Sequence, residues 1–173
     1  MPHSALAVAR SGKTWVGADV DLDELEDLDA VVDALRDRFE TDTVVLLVEE
    51  DDEWCGIVRL EGDEDVRVFV SDGRVVEIPG LAQRFFEDAV PPMAPLSLDD
   101  DDDDDEEQDD EDDDAGSPDI EPVGDADLLA DLGTSGKQLL ALCAEEGVLP
   151  SDLIAAVVES AGAGDVLEKL RPT

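Results

Sequence analysis

The spacing of apolar residues predicts a mixed fold that begins with two strands and a helix. Short β-prone runs at 5–10 and 14–20 are separated by the sequence SGK, which indicates a hairpin turn. The apolar residues that follow are spaced alternately by three and four positions. This spacing predicts a helix that packs one apolar stripe on the sheet and is capped by Asp21 or Asp23. The stripe consists of Leu25, Leu28, Val32, Leu35 and Phe39.

Four further strands are predicted downstream of this helix. They span residues 43–49, 54–60, 66–70 and 74–78. The first is apolar without alternation, which is typical of a strand covered on both faces. Between the last two, the Asp-Gly pair at 72–73 is the signature of a tight hairpin turn. With a short helix over 79–88, the first part has the order ββαββββ, and the fold class is α+β.

Residues 90–124 are first Pro-rich and then strongly acidic. From Asp99 to Asp114 every residue except Gln108 is acidic. Like charges at this density repel one another and bury no apolar surface, so the pattern predicts an extended, disordered linker. The chain therefore divides into a mixed α/β domain at 1–89, this linker at 90–124, and a helical module at 125–173.

Helical signals return after Gly124. Ser135 and Gln138 form the pattern of a capping box, and the helix that they start is predicted to end at Gly147. The predicted centre of the module consists of Leu128, Leu129, Leu132, Leu139, Leu142, Cys143, Leu149, Ile154, Val157, Val158, Leu167 and Leu170. A module below about 70 residues is marginal alone. We therefore expect it to dock either on the first domain or on a partner.

The charge of the chain decides which partners are compatible with it. The 173 residues include 50 acidic and 11 basic ones, for a net charge of −39. Residues 1–98 contribute −16, the run 99–114 contributes −15, and residues 115–173 contribute −8. Such a chain repels phosphates and anionic lipids, so we expect no direct binding of nucleic acid or membranes, and a basic protein as partner. A general demand for solubility, or a halophilic proteome, is the alternative explanation.

The acidic run supplies the candidate residues for electrostatic interaction. They are Asp99, Asp100, Asp101, Asp102, Asp103, Asp104, Asp105, Glu106, Glu107, Asp109, Asp110, Glu111, Asp112, Asp113 and Asp114. Divalent cations condense weakly on any such polyanion, so the run is not a metal site.

Three motifs invite a chemical interpretation, and each departs from its pattern. Residues 7–14, AVARSGKT, satisfy the permissive P-loop pattern, but Val, Ala and Arg fill the loop and a strand-like segment follows. A second P-loop-like segment, residues 131–138, lacks both the first Gly of the pattern and the final residue with a hydroxyl. Asp19, Asp21 and Asp23 alternate as in an EF-hand, yet Glu24 occupies the glycine position. We therefore predict no nucleotide site and no calcium site.

Catalytic residues are not recognisable in this sequence. His3 is its one histidine, and Cys55 and Cys143 lie 88 positions apart, which indicates two unrelated thiols. We predict no catalytic residue, no cofactor and no metal, and therefore no enzyme. No signal-peptide pattern is present and the longest apolar runs are too short to span a membrane, so we expect a cytoplasmic protein.

Two segments resemble a known family. They are DTVVLLVEEDDEW at 42–54 and EPVGDADLLADLGTSGKQLLALCAEEGVLP at 121–150, and they resemble the tRNA adenosine deaminase-associated proteins of actinobacteria. The resemblance implies a β-rich first half, an acidic spacer and a leucine-rich helical end. It also implies association with the enzyme that converts adenosine to inosine in tRNA. The chain lacks the HxE…PCxxC zinc pattern of that enzyme, so no catalytic residues carry over.

Three functional hypotheses follow. The chain is a non-enzymatic partner or regulator of tRNA adenosine deaminase or of another basic, RNA-handling protein. Alternatively, it is a freestanding protein whose acidity serves solubility. The third hypothesis is a nucleotide-binding protein, and it depends only on the imperfect P-loop pattern.

Overall fold

The computed structural model describes residues 3–41, 43–62, 65–87, 122–145 and 147–170. Among these residues, six strands form one antiparallel sheet in the spatial order β2-β1-β3-β4-β5-β6. The strands are β1 (His3–Ser11), β2 (Thr14–Asp19), β3 (Thr43–Glu50), β4 (Trp54–Glu61), β5 (Asp65–Val70) and β6 (Val123–Gly124). The helices are α1 (Leu28–Arg38), α2 (Leu81–Phe86), α3 (Gly136–Ala144), α4 (Pro150–Ala161) and α5 (Gly164–Leu170). The predicted α+β class is confirmed.

Helices from the two ends of the chain cover the two faces of the sheet. The first face carries Ala5, Ala7 and Ala9 of β1, and it packs against α1 and α2 in one hydrophobic cluster. The second face carries Leu6 and Val8, and it packs against the C-terminal helices in another. Because helices cover both faces of the sheet, side chains on both sides of β3 are buried, and β3 is apolar without alternation. The helical module lies on the sheet, which is one of the two alternatives that the sequence left open.

The predicted apolar stripe forms the buried side of α1. Val32, Leu35 and Phe39 are buried on the first face of the sheet, and Leu35 is only 1% exposed. The helix begins at Leu28 rather than before Leu25, so the predicted start was too early.

Asp27 determines where α1 begins. Its side chain accepts a hydrogen bond from the Ala30 amide at 2.9 Å, which satisfies one amide of the first turn. Asp21 caps a separate 3-10 helix, Leu22–Glu24, through the amide of Asp23. The prediction that Asp21 or Asp23 caps this helix was therefore wrong, because two short helices share the segment.

The strand predicted at 74–78 is wrong. The segment Gly73–Glu77 is a 3-10 helix, and the Asp72 side chain accepts hydrogen bonds from the Arg74 amide at 3.0 Å and from its guanidinium at 2.8 Å. Such a local side-chain bond offers the backbone an alternative to a hairpin. The sixth strand is instead β6, which pairs with Phe69 and Val70 of β5. Its two residues lie at the end of the segment 90–124, which the sequence predicts to be a linker.

The C-terminal helices follow the sequence signals closely. Asp125 caps a 3-10 helix, Ala126–Leu132, and the predicted capping box of Ser135 and Gln138 is present at the start of α3. The predicted core residues that are buried are Leu128, Leu129, Leu132, Leu139, Ile154, Val157, Val158 and Leu167. Leu149 is 47% exposed, because it occupies the cap position before α4 rather than a position inside a helix.

The predicted boundaries of the three regions remain predictions. Residues 88–121, which include most of the predicted linker at 90–124, lie outside the described residues.

Candidate interaction surface

The acidic run cannot be located on the fold. All of its candidates, from Asp99 to Asp114, lie outside the described residues, and their electrostatic role stays a prediction. The surface of the described part is nevertheless rich in carboxylates. It therefore provides its own candidates for interaction.

The P-loop-like motif forms a β-hairpin. Residues 7–11 belong to β1, Gly12 and Lys13 form the turn, and Thr14 begins β2. Gly12 has a φ of 64°, and the Thr14 hydroxyl donates a hydrogen bond to the Ser11 carbonyl at 3.0 Å. A phosphate cradle needs a loop of amides at the start of a helix, whereas this turn leads into a strand. The predicted hairpin turn is confirmed, and the motif does not adopt the geometry of a nucleotide site.

The two other motifs also have structural explanations. In the EF-hand-like segment, Asp21 caps a 3-10 helix. At the start of the second P-loop-like segment, Asp131 forms an ion pair with Arg59. Within the ranges that the structure describes, no group of three or more His, Cys, Asp or Glu residues could hold a metal ion.

The two cysteines are free thiols inside the hydrophobic cluster of the second face. Cys55 is buried, and Cys143 is partly buried. Burial raises the pKa of the Cys55 thiol to about 12, against the lowering effect of a hydrogen bond with Ser71. Burial and the nearby Cys55 raise the pKa of Cys143 to about 12 as well. Because the thiolate is the nucleophile, neither thiol is activated at neutral pH.

The solvent side of α1 carries an acidic stripe, formed by Asp29, Asp33 and Asp37. All three side chains are exposed, and none forms an ion pair with another described residue. Residues four positions apart on a helix are neighbours about 5–6 Å apart, and like charges there destabilise the helix by about 0.2–0.5 kcal/mol per pair. Asp37 also lies near the negative end of the helix dipole. Repulsion between neighbouring carboxylates and the position of Asp37 therefore act against α1, whereas Asp29 lies in the first turn, where a carboxylate suits the helix dipole.

A second concentration of carboxylates lies at one end of β1 and β2. An acidic groove of about 490 Å³ is lined by Asp19, Asp21 and Asp23, together with His3. Inside it, His3 Nε2 lies 3.7 Å from an Asp23 carboxylate oxygen. Its carboxylates are exposed to solvent. The groove therefore offers a concave, negatively charged surface.

On the other side of His3 lies a smaller hollow of about 220 Å³. Glu49, Asp51 and Asp52 line it. Asp51 and Asp52 form the turn between β3 and β4 with φ values of 56° and 55°, in the left-handed region where Asn and Gly are preferred. The sequence predicted a short acidic hairpin loop here. It did not predict that both aspartates take this backbone conformation.

Most arginines, in contrast, contact their own chain. Arg67 pairs with Asp125, Arg74 pairs with Asp72, and the Arg38 guanidinium donates to the Asp19 carbonyl at 3.1 Å. Arg84 donates to a backbone carbonyl at 3.2 Å and lies 4.6 Å over a phenylalanine ring. These internal contacts leave the surface of the described part dominated by negative charge.

Arg59 is the polar residue that sequence reasoning missed. It lies on β4, its side chain is 2% exposed, and it donates to the Leu128 carbonyl at 2.6 Å. Its guanidinium makes a bidentate ion pair with Asp131, which lowers the pKa of that carboxyl, and it lies 3.4 Å from Glu61. A lone arginine within the apolar strand GIVRLE is the sequence signal that could have revealed it. The pair joins the sheet to the 3-10 helix that begins the C-terminal helices.

Comparison with models of known protein families gives a match over most of the chain. The family described as Rv3753c-like tRNA adenosine deaminase-associated protein matches residues 3–164. The match spans the sheet, α3 and α4, and it ends at the first residue of α5. No curated protein and no solved structure matches the chain. Of the helices described, none has the length and apolar character needed to cross a membrane.

Proposed function

Because the chain belongs to the tRNA adenosine deaminase-associated family, we propose that it is a non-enzymatic accessory protein that binds tRNA adenosine deaminase directly. Family membership indicates an accessory role. The acidic stripe is the observation that supports an electrostatic role, because three exposed carboxylates without a described ion-pair partner lie along the solvent side of one helix. The two proteins bind each other in the cytoplasm, where tRNA is present.

The charge of the partner's surface follows from its substrate, because an enzyme that acts on tRNA presents a basic surface to the phosphates. A line of carboxylates on α1 complements such a surface. The accessory protein and tRNA then compete for the same basic residues, so binding regulates access of tRNA to the deaminase. We expect no binding of tRNA by this chain itself, because most of its described arginines are engaged in internal contacts.

The experiment measures binding kinetics with purified deaminase at low and high salt. The test variant replaces Asp29, Asp33 and Asp37 with Asn, which removes the three charges of the acidic stripe. The control replaces Glu77, Glu87 and Glu168 with Gln, which removes three charges from exposed side chains elsewhere. We expect the test variant to bind about tenfold more weakly at low salt and the control to bind nearly as well as the parent.

A further variant lacks residues 99–114 and addresses the acidic run. We expect a lower association rate at low salt with a similar dissociation rate, because a long polyanion steers encounters without fixing the complex. With a screening length of about 8–10 Å near physiological salt, the difference fades as salt rises. Complete loss of binding at every salt concentration would identify the run as the binding site itself. If neither the parent chain nor any variant binds the deaminase, the proposed partner is wrong, and the hypothesis that the acidity serves solubility is favoured.

A further inference from the structure

The strand β2 forms one edge of the sheet. Its only neighbour among the described strands is β1. The opposite edge is formed by β6, which is only two residues long, and beside it the Asp125 amide donates to the Val68 carbonyl at 2.8 Å. Natural sheets usually guard an open edge with Lys, Pro or a bulge. The sequence of β2, TWVGAD, contains neither Lys nor Pro.

The direction of the backbone groups in β2 follows from one hydrogen bond. The Val20 amide donates to the Ala5 carbonyl at 2.9 Å, so these two residues form a hydrogen-bonded pair. In an antiparallel ladder, bonded and non-bonded pairs alternate. Ala18 and Val16 therefore also point their backbone groups toward β1.

The intervening residues of β2 direct their amides and carbonyls away from the sheet. They are Trp15, Gly17 and Asp19, and the Asp19 carbonyl already accepts a hydrogen bond from Arg38 at 3.1 Å. Gly17 is partly exposed, and a glycine has only backbone to expose. The amides and carbonyls of Trp15 and Gly17 are therefore accessible to an added strand.

The surroundings of this edge are apolar in the middle and acidic at one end. Val16 is 45% exposed on the first face of the sheet, beside the edge. On the second face, α5 covers Gly17, since a Cβ built there would lie 2.3 Å from Val166. The strand then runs from Asp19 into the acidic groove.

We propose that the outer edge of β2 is a docking surface for an extended, basic segment of a partner protein, which adds to the sheet as a further strand. Backbone hydrogen bonds to Trp15 and Gly17 supply the pairing, and an apolar side chain of the segment covers Val16. A basic side chain of the segment enters the acidic groove. A second copy of this chain is disfavoured as the occupant, because each copy carries a net charge of −39. The inference deepens the proposed function by naming a surface for the partner.

The test uses the full chain and a synthetic peptide in which Val and Arg alternate, so it does not depend on the deaminase. Amide hydrogen exchange is measured residue by residue with and without this peptide. We expect the exchange of Trp15 and Gly17 to slow at least about tenfold, while Val16 and Ala18, already paired with β1, change little. An acidic peptide in which Val and Glu alternate should protect neither residue.

Two variants make the test specific. Val16→Lys places a positive charge beside the edge and should weaken binding of the basic peptide about tenfold. Val66→Lys is the matched control, because Val66 is an exposed valine of β5 with 39% exposure. The proposal is overturned if the basic peptide leaves Trp15 and Gly17 exchanging as in the free chain, or if both variants weaken binding equally. It is also overturned if concentration-dependent protection appears without peptide, because a second copy would then occupy the edge.

The deaminase experiment and the peptide experiment can refute their two hypotheses separately. Loss of deaminase binding with retained peptide protection would refute the named partner and leave the docking edge in place. Deaminase binding without protection of Trp15 and Gly17 by the basic peptide would refute the edge and leave the proposed function.

Discussion

The ion pair of Arg59 and Asp131 predicts an unequal response to the loss of either partner. Arg59 is 2% exposed, whereas the Asp131 side chain is 62% exposed. Removing Asp131 leaves a buried guanidinium with fewer acceptors, but removing Arg59 leaves a carboxylate that water already solvates. We therefore expect Asp131→Ala to destabilise the protein more than Arg59→Met does.

The magnitudes follow from the hydrogen bonds involved. A hydrogen bond to a charged group contributes about 1.5–3 kcal/mol, and exposure of Asp131 reduces this, so we expect Asp131→Ala to cost about 1–2 kcal/mol. Arg59→Met replaces a buried charge with an apolar chain and should cost about 1 kcal/mol or less. The double variant should match Arg59→Met alone, because Asp131 contributes only through its partner.

Equilibrium unfolding in urea at pH 7 and fixed salt measures these differences. With a slope of about 2 kcal/mol per molar urea, the middle of the usual range, Asp131→Ala should lower the midpoint by about 0.5–1 M. Glu168→Ala is the control, since it removes an exposed charge that forms no ion pair with a described residue. If Asp131→Ala and Arg59→Met prove additive in the double variant, the two side chains do not stabilise the protein as a pair.

The same pair predicts a pH dependence. Arg59 lowers the pKa of Asp131 in the folded state. The stabilising contribution of the ion pair is therefore complete above the pKa that Asp131 has in the unfolded chain, about 3.9. It is lost as pH falls through the lower pKa that Asp131 has in the folded state. The stability difference between the parent and Asp131→Ala should accordingly shrink below about pH 4. A difference that stays constant down to pH 2 would contradict the ion pair.

Three further predictions concern single positions. Leu35→Ala, at a residue 1% exposed, should cost about 2–5 kcal/mol in urea unfolding, and a loss below about 1 kcal/mol would contradict its burial. Asp52→Gly should stabilise the protein by about 0.5–1 kcal/mol, because Asp52 has a φ of 55°, and a loss of stability would show that its side chain contributes more than its backbone costs. Lys13→Ala, in the β1–β2 turn, should change stability by less than about 0.5 kcal/mol, and ATP binding that disappears in this variant would overturn our interpretation of the motif.

Local signals in the sequence predicted most elements of the fold. The capping box of Ser135 and Gln138 predicted the start of α3, and the periodic stripe containing Val32 and Leu35 predicted the buried side of α1. Both signals act within one or two helical turns, so they can be recognised without knowing what packs nearby.

The features that the sequence did not reveal depend on distant residues. β6 is two residues long, and it is a strand only because Phe69 and Val70 pair with it. Arg59 is buried because Asp131, 72 positions later, supplies its carboxylate. The interaction surface was predicted only as the run 99–114, because a dense charge run stands out in a sequence. The acidic stripe is visible only once α1 aligns its residues in space.

The coverage of both sheet faces has a consequence for biosynthesis. The helices that cover the second face follow the strands β1 to β5 along the chain and therefore leave the ribosome after them. Until then, a growing chain exposes the apolar side chains of that face, which are the kind of surface through which nascent proteins aggregate. The acidic run is translated before these helices, so repulsion between neighbouring nascent chains is already present while the face is uncovered. We therefore expect the order of the segments along the chain to oppose aggregation during synthesis.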